Sequence, residues 1–188
     1  SKVCKIYDAG GVSCVSASLD SHGIRLDALG NAQVLHISPS HHFPTGLVTS
    51  RSRRTELLSW AAEKPCRYII EDDYDSEFRF DAHPMAAMQS LDRMGRVIYM
   101  NTFSKSLAPS IRISYMVLPP ALMEQFQQRL GFYSCTVPSF EQYTLARFLS
   151  RGHFEKHINR MRKFYKQRRN RVVSLLENCA FSDLLSIL

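Results

Sequence analysis

Lys105, Asp72 and Arg112 are the residues around which chemistry can be built, because each lies beside a strand-like stretch. Asp72 follows the run Arg67-Tyr68-Ile69-Ile70, Lys105 follows Val97-Ile98-Tyr99-Met100, and Arg112 comes seven residues after the lysine. Strand-to-loop junctions are where open α/β sheets assemble ligand sites. An amine attacks an aldehyde only in its neutral form, so a lysine suited to that reaction is desolvated or set near positive charge. A carboxylate beside a pyridine nitrogen keeps that nitrogen protonated and turns the ring into an electron sink. An arginine with hydroxyl neighbours holds phosphate through charge-assisted hydrogen bonds. Together the three groups suit a phosphorylated heterocycle that carries an aldehyde.

Three other clusters compete for attention. The acidic run Glu71-Asp72-Asp73-Tyr74-Asp75-Ser76-Glu77 offers hard oxygens to a cation. It lacks the glycine and the ligand spacing of an EF-hand, so a solvated turn is the expectation. His153 and His157 are four apart, but the order His-Phe-Glu-Lys-His misplaces the glutamate for a zincin, and two surface histidines are expected. No metal is expected at either place. Lys156, Arg160, Arg162, Lys163, Lys166, Arg168, Arg169 and Arg171 are dense enough to hold a phosphate backbone without sequence preference. The apolar stripe Phe154, Ile158, Met161, Tyr165, Val172 and Leu176 commits one side of the same helix to packing, which leaves the basic side as a solvated face.

The elements that must position these residues alternate between strand and helix, the pattern of an α/β domain with a mostly parallel sheet flanked by helices. Strands are expected at 12–18, 34–37, 67–70, 97–100 and 113–118. Residues 25–29 read as a short helical turn. Ser50 caps a helix reaching about Lys64, with Leu57, Leu58, Ala61 and Ala62 inside and Pro65 beyond its end. Further helices are expected at 121–130 and 139–149, and a long one from His153 to Glu177 finishes the chain.

The chain has 188 residues and a net charge of +7, much of it from the basic segment, and 188 residues suffice for one substantial core. No apolar run approaches the roughly 20 residues that span a bilayer, and the N-terminus lacks the plan of a signal peptide, so a cytoplasmic protein is expected. The five cysteines are odd in number and contain no Cys-x-x-Cys pair, which argues against a disulfide framework and a zinc knuckle. Reduced, mostly buried thiols are expected.

Ser104-Lys105-Ser106-Leu107 with Arg112 resembles the lysine loop of fold-type I pyridoxal-phosphate (PLP) enzymes, the class I/II aminotransferases among them, and Phe43-Pro44-Thr45-Gly46 is similar to their Asn-Pro-Thr-Gly turn. Residues 69–78, with 39–46 and 102–106, narrow the likeness. They resemble the aminotransferase-like domain of MocR/GabR-type bacterial regulators, in which this domain follows a winged helix-turn-helix of the GntR type. The likeness runs from about Val12 to beyond Arg171.

The resemblance implies a fold-type I large domain and pyridoxal 5'-phosphate as cofactor. It implies a Schiff base at Lys105, Asp72 paired with the pyridinium nitrogen, and Tyr74 on the phenolic oxygen of the ring. Adjacent Asp73 is the alternative to Asp72. Thr102, Ser104 and Arg112 would line the phosphate, and His41 and Phe43 would lie at the turn flanking the ring. Phe43 and Phe103 are also readable as core residues, and Arg112 as a partner for a loop carbonyl. Phe43 stands where ordinary aminotransferases have asparagine, a change the regulators share.

Relative to that family, residues 1–150 correspond to part of the PLP-binding large domain and 151–188 to a long helix leading toward a small domain. The winged helix and the substrate-carboxylate arginine fall outside the sequence. The implied function is an effector domain that senses a small amine or amino acid by exchange of one Schiff base for another, as a homodimer, with DNA contacted only through the winged helix and no membrane involved. The same residues also suit a catalytic aminotransferase, with Lys105 as the proton-moving base. A structural or dimerisation module without cofactor is the third possibility.

Overall fold

Short runs rich in β-branched and aromatic residues form the central sheet: β3 (Val34–Ile37), β4 (Tyr68–Asp72), β5 (Val97–Thr102) and β6 (Ser114–Val117). The computed structural model describes residues 2–78 and 85–179. Their order is β3-β4-β5-β6, with β3, β4 and β5 parallel and β6 antiparallel to β5. The register sets Ile37 beside Glu71, Asp72 beside Met100, and Thr102 beside Ser114. A small antiparallel pair, β1 (Leu19–Asp20) and β2 (Gly23–Ile24), precedes the sheet. Gly23 closes that hairpin at φ +128°, where a Cβ would lie 2.9 Å from the Thr49 side chain, so only glycine fits.

Helices fill the connections, as parallel strands require. They are α1 (Lys2–Ala9), α2 (Arg51–Ala62), α3 (Met88–Leu91), α4 (Phe103–Ser106), α5 (Pro120–Leu130), α6 (Ser139–Ser150) and α7 (His153–Glu177). Ser50 caps α2 as expected, its Oγ accepting from Arg53 N at 3.2 Å. Alternation along β4 turns Ile69 and Glu71 toward the interior. There Leu35, Ile37, Leu57, Trp60, Ala61, Ile69, Met88 and Val97 form the core between the sheet and α2. Burying one such side chain contributes roughly 1.5–3 kcal/mol. Trp60, absent from the expected helix interior, is buried under the Arg67 guanidinium, 4.7 Å from its ring centroid.

The fold departs from expectation in a few places. Residues 12–18 form no strand: Val12 N–H turns back to the Tyr7 carbonyl and only the Ser18 carbonyl, accepting from Arg25 N, continues the pairing of the small hairpin. Residues 25–29 contain one 3-10 turn, Leu26–Ala28. The thiols are not buried: Cys14, Cys66 and Cys135 are exposed, and Cys4 and Cys179 are half-buried. No helix among the described residues is long and apolar enough to cross a membrane.

Candidate functional site

Three parallel strands bring their C-terminal ends to one edge of the sheet, and antiparallel β6 begins at that edge. Every residue singled out for the site belongs to this edge. His41 and Phe43 follow β3, Asp72 is the last residue of β4, and Tyr74 comes just after it. Thr102 ends β5, Ser104 and Lys105 lie in α4, and Arg112 immediately precedes β6.

Strand alternation separates the adjacent aspartates. Asp72 is half-buried, with Oδ2 3.6 Å from Nε2 of His36. The other ring nitrogen of His36 meets the Tyr7 hydroxyl at 2.7 Å, and the two rings pack edge to face. Burial, and then the charges of nearby Cys14 and Asp72, raise the Tyr7 phenol above its ordinary pKa. Asp73 turns to the opposite side, where it is 5% exposed and accepts from the Tyr99 hydroxyl at 2.9 Å. Asn101 donates to Tyr99 at 3.0 Å, completing a polar cluster on that side.

The loops after β3 and β4 are tied together. The Tyr74 hydroxyl donates to the His41 carbonyl at 3.0 Å, its ring stacks on the His41 imidazole, and Nδ1 of His41 lies 2.7 Å from Asp75 Oδ2. Desolvation, and then Asp75 and Asp72, push the Tyr74 phenol up. Phe43 is 80% exposed, which removes the reading of it as a core residue. Gly46 closes the turn, its N–H donating to the His42 carbonyl at 2.8 Å.

Lys105 is exposed on α4, a single turn whose start is fixed by Thr102. The Thr102 hydroxyl accepts from Ser104 N at 3.1 Å and donates to the Ile113 carbonyl at 3.2 Å. Its proton is thus engaged in shaping the turn. Arg112, also exposed, has φ +49°, the only positive φ at a non-glycine among the described residues. Such strain persists where surrounding structure enforces it, and it gathers at ligand sites.

The acidic run does not converge on one point. Asp72 faces His36, Asp73 faces Tyr99, Asp75 faces His41, and Glu77 accepts from Asn101 at 3.4 Å. Among the described residues no three His, Cys, Asp or Glu side chains gather where a metal could sit. His153 and His157 point to different neighbours, the Phe148 ring and the Ser106 carbonyl.

A primary amine, a half-buried carboxylate, a guanidinium and hydroxyls at one sheet edge form a donor set that fits a phosphorylated pyridine aldehyde. The Ser106 hydroxyl, buried beside Lys105 with no hydrogen-bond partner, is a further polar group within the lysine turn. Sequence reading missed His36 and Tyr7. The half-polar pattern of β3 marks His36, but nothing in the sequence pairs Tyr7 with it.

Residues 8–186 match the family described as aminotransferase class I and II. The chain is 43% identical over 175 residues to the HTH-type transcriptional regulator YdeL of Bacillus subtilis, covering 92% of this chain and 38% of the relative. It is 41% identical over 143 residues to the probable rhizopine catabolism regulatory protein MocR of Rhizobium meliloti, covering 76% of this chain and 29% of that one. A solved likeness is the kynurenine aminotransferase of Pyrococcus horikoshii in complex with PMP, with TM-score 0.78 and 31% identity over 89% of this chain and 44% of the other. The chain thus spans well under half the length of the relatives it matches.

Proposed function

The chain belongs to the class I and II aminotransferase family, and from that premise we propose that it is the PLP-binding part of an effector-sensing domain in a MocR-type transcription regulator. The family and its PMP-bound structural likeness imply pyridoxal 5'-phosphate as the cofactor. One observation supports the reading: Asp72 ends β4, and Lys105 and Arg112 lie in the connection between the neighbouring strands β5 and β6, at the same edge of the sheet.

When bound, the cofactor supplies an aldehyde and an electron-withdrawing ring. In this reading the Lys105 amine would hold the cofactor through its aldehyde, and Asp72, beside His36, would keep a proton at the ring nitrogen. Arg112 and Ser104 take the phosphate, with Thr102 shaping their turn, and Tyr74 with His41 borders the phenolic oxygen. A small amine or amino acid would displace Lys105 and so announce itself. The reading includes a cytoplasmic homodimer and DNA contact through a winged helix elsewhere in the polypeptide. It also includes a division near residue 150. Gly152, at φ +69°, separates α6 from α7 and supports that division, while residues 180–188 lie outside the described residues.

A catalytic aminotransferase is the second reading, supported by the likeness to the kynurenine enzyme. The visible absorption of the full-length protein with added PLP, beside Lys105→Ala, tests the first step. A yellow band that borohydride fixes onto Lys105, absent from the variant, is the expected result, and identical spectra would overturn it. Keto-acid-dependent turnover of an amino acid would move the assignment to the enzyme.

A further inference from the structure

The longest helix of the molecule reaches the lysine turn. Nε2 of His157 on α7 lies 3.1 Å from the carbonyl oxygen of Ser106, the residue after Lys105, across 51 positions of sequence. On its other side, Nδ1 of His157 lies 3.2 Å from a terminal nitrogen of Arg160. A guanidinium can only donate, so Nδ1 accepts, and the imidazole proton sits on Nε2 and is given to Ser106. A one-turn helix leaves its last carbonyls without partners of its own, and His157 satisfies one of them.

One more contact repeats the attachment. Phe154, one turn before His157 on the same face, meets Phe103 edge to face at 5.9 Å, and Ile158 beside it is 4% exposed. Phe103 and Ser106 bracket Lys105 in sequence, so α7 grips the turn on both sides of the lysine. The same helix also touches the loop beyond Asp72 and Tyr74. The Tyr165 ring packs on Phe78, and Arg162 Nε donates to the Glu77 carbonyl.

We infer that His157 is a positioning residue, which ties the turn carrying Lys105 to α7 through the Ser106 carbonyl and so sets where the lysine amine is presented. The inference concerns the site proposed above and rests on that reading for its importance, but its geometry stands without cofactor.

The test compares His157→Leu and His157→Gln with wild type in the full-length protein, without PLP. The glutamine amide nitrogen can donate from about the place of Nε2. Amide hydrogen exchange is followed over residues 103–107 and over 160–170. The rate at which acetic anhydride modifies Lys105 is read by mass spectrometry. Losing one hydrogen bond predicts about fivefold faster exchange in 103–107 for His157→Leu, with a changed acetylation rate at Lys105. Residues 160–170 should stay protected, and His157→Gln should restore both readouts. Unchanged exchange and acetylation in His157→Leu would overturn the inference. So would a His157→Gln protein whose lysine turn is as loose as that of the leucine variant. Should the leucine variant fail to fold, the glutamine variant decides alone: wild-type behaviour supports the tie and a loosened turn refutes it. PLP failing to attach at Lys105 would sink the proposed function and leave this result standing.

Discussion

His36 stands between Tyr7 and Asp72, its Nδ1 2.7 Å from the tyrosine hydroxyl and its Nε2 3.6 Å from the aspartate carboxylate. Burial keeps the Tyr7 phenol protonated, and with that proton donated to Nδ1 the imidazole turns its own N–H toward Asp72. His36 therefore faces the carboxylate assigned to the pyridine nitrogen without a direct hydrogen bond to it. Replacing His36 by Leu is expected to weaken PLP binding by up to about fivefold, the scale of a partly exposed polar contact to a carboxylate. Tyr7→Phe should produce a smaller loss in the same titration. A His36→Leu protein that binds PLP like wild type would show that Asp72 needs no such support.

The two neighbouring aspartates should separate cleanly. Asp72→Asn is expected to lower PLP affinity with little effect on melting temperature. Asp73→Asn disturbs the bond from Tyr99 and should cost about 1–3 kcal/mol of stability while sparing the cofactor. Thermal melts and PLP titrations of both variants check this, and the reverse pattern would exchange their roles.

Arg112 is held at φ +49° at a cost of about 1–2 kcal/mol that glycine would not incur. Arg112→Gly should leave cofactor-free stability unchanged or slightly raised, yet weaken PLP and inorganic phosphate binding together. Loss of stability with intact phosphate binding would assign the arginine a structural purpose.

Arg54 is almost fully buried and donates to the carbonyls of Thr49, Ala86 and Pro39. Two of these carbonyls flank the turn that carries His41 and Phe43. Arg54→Met removes all three bonds and leaves the Pro39 carbonyl only its bond from Thr49 N, so a destabilisation of about 3 kcal/mol or more is expected in chemical denaturation. A shift under 1 kcal/mol, on that scale, would mean that the loop relaxes around the change.

Glu77 supplies a pH test. Burial raises its pKa first, Asp73 and Asp75 add to the shift, and Oε2 is buried without a hydrogen-bond partner. A carboxyl whose folded pKa is raised stabilises the fold fully below the unfolded value and loses that contribution as pH rises through the folded value. Wild type should therefore lose melting temperature relative to Glu77→Gln as pH climbs from about 4.3, the ordinary glutamate value. Parallel curves for the two proteins would remove Glu77 from the account.

Much of this protein was legible in its sequence, for reasons that are local. Residues 34–37, 97–100 and 113–118 announce themselves as strands by β-branched and aromatic content, within two residues of the observed ends, and Ser50 announces the start of α2. The long helix His153–Glu177 was legible in its approximate extent, because its apolar stripe persists along its length. Lys105 was visible because its neighbours are distinctive. Residues 12–18 show the limit of such reading, since local sequence names a strand but pairing decides whether one exists.

Only the tertiary structure decided what depends on distance across the fold. The family resemblance favoured Asp72 over Asp73, but sequence alone kept Asp73 as the alternative. The parallel register with β5 placed them on opposite faces of the sheet, one toward His36 and the other toward Tyr99. Tyr7 with His36, and His157 with Ser106, are 29 and 51 positions apart. Their meeting is a consequence of where the strands pair and the helices cross, which no window of sequence contains. Residue type determined which chemistry this chain can carry, and packing determined which of those residues face the place where it would occur.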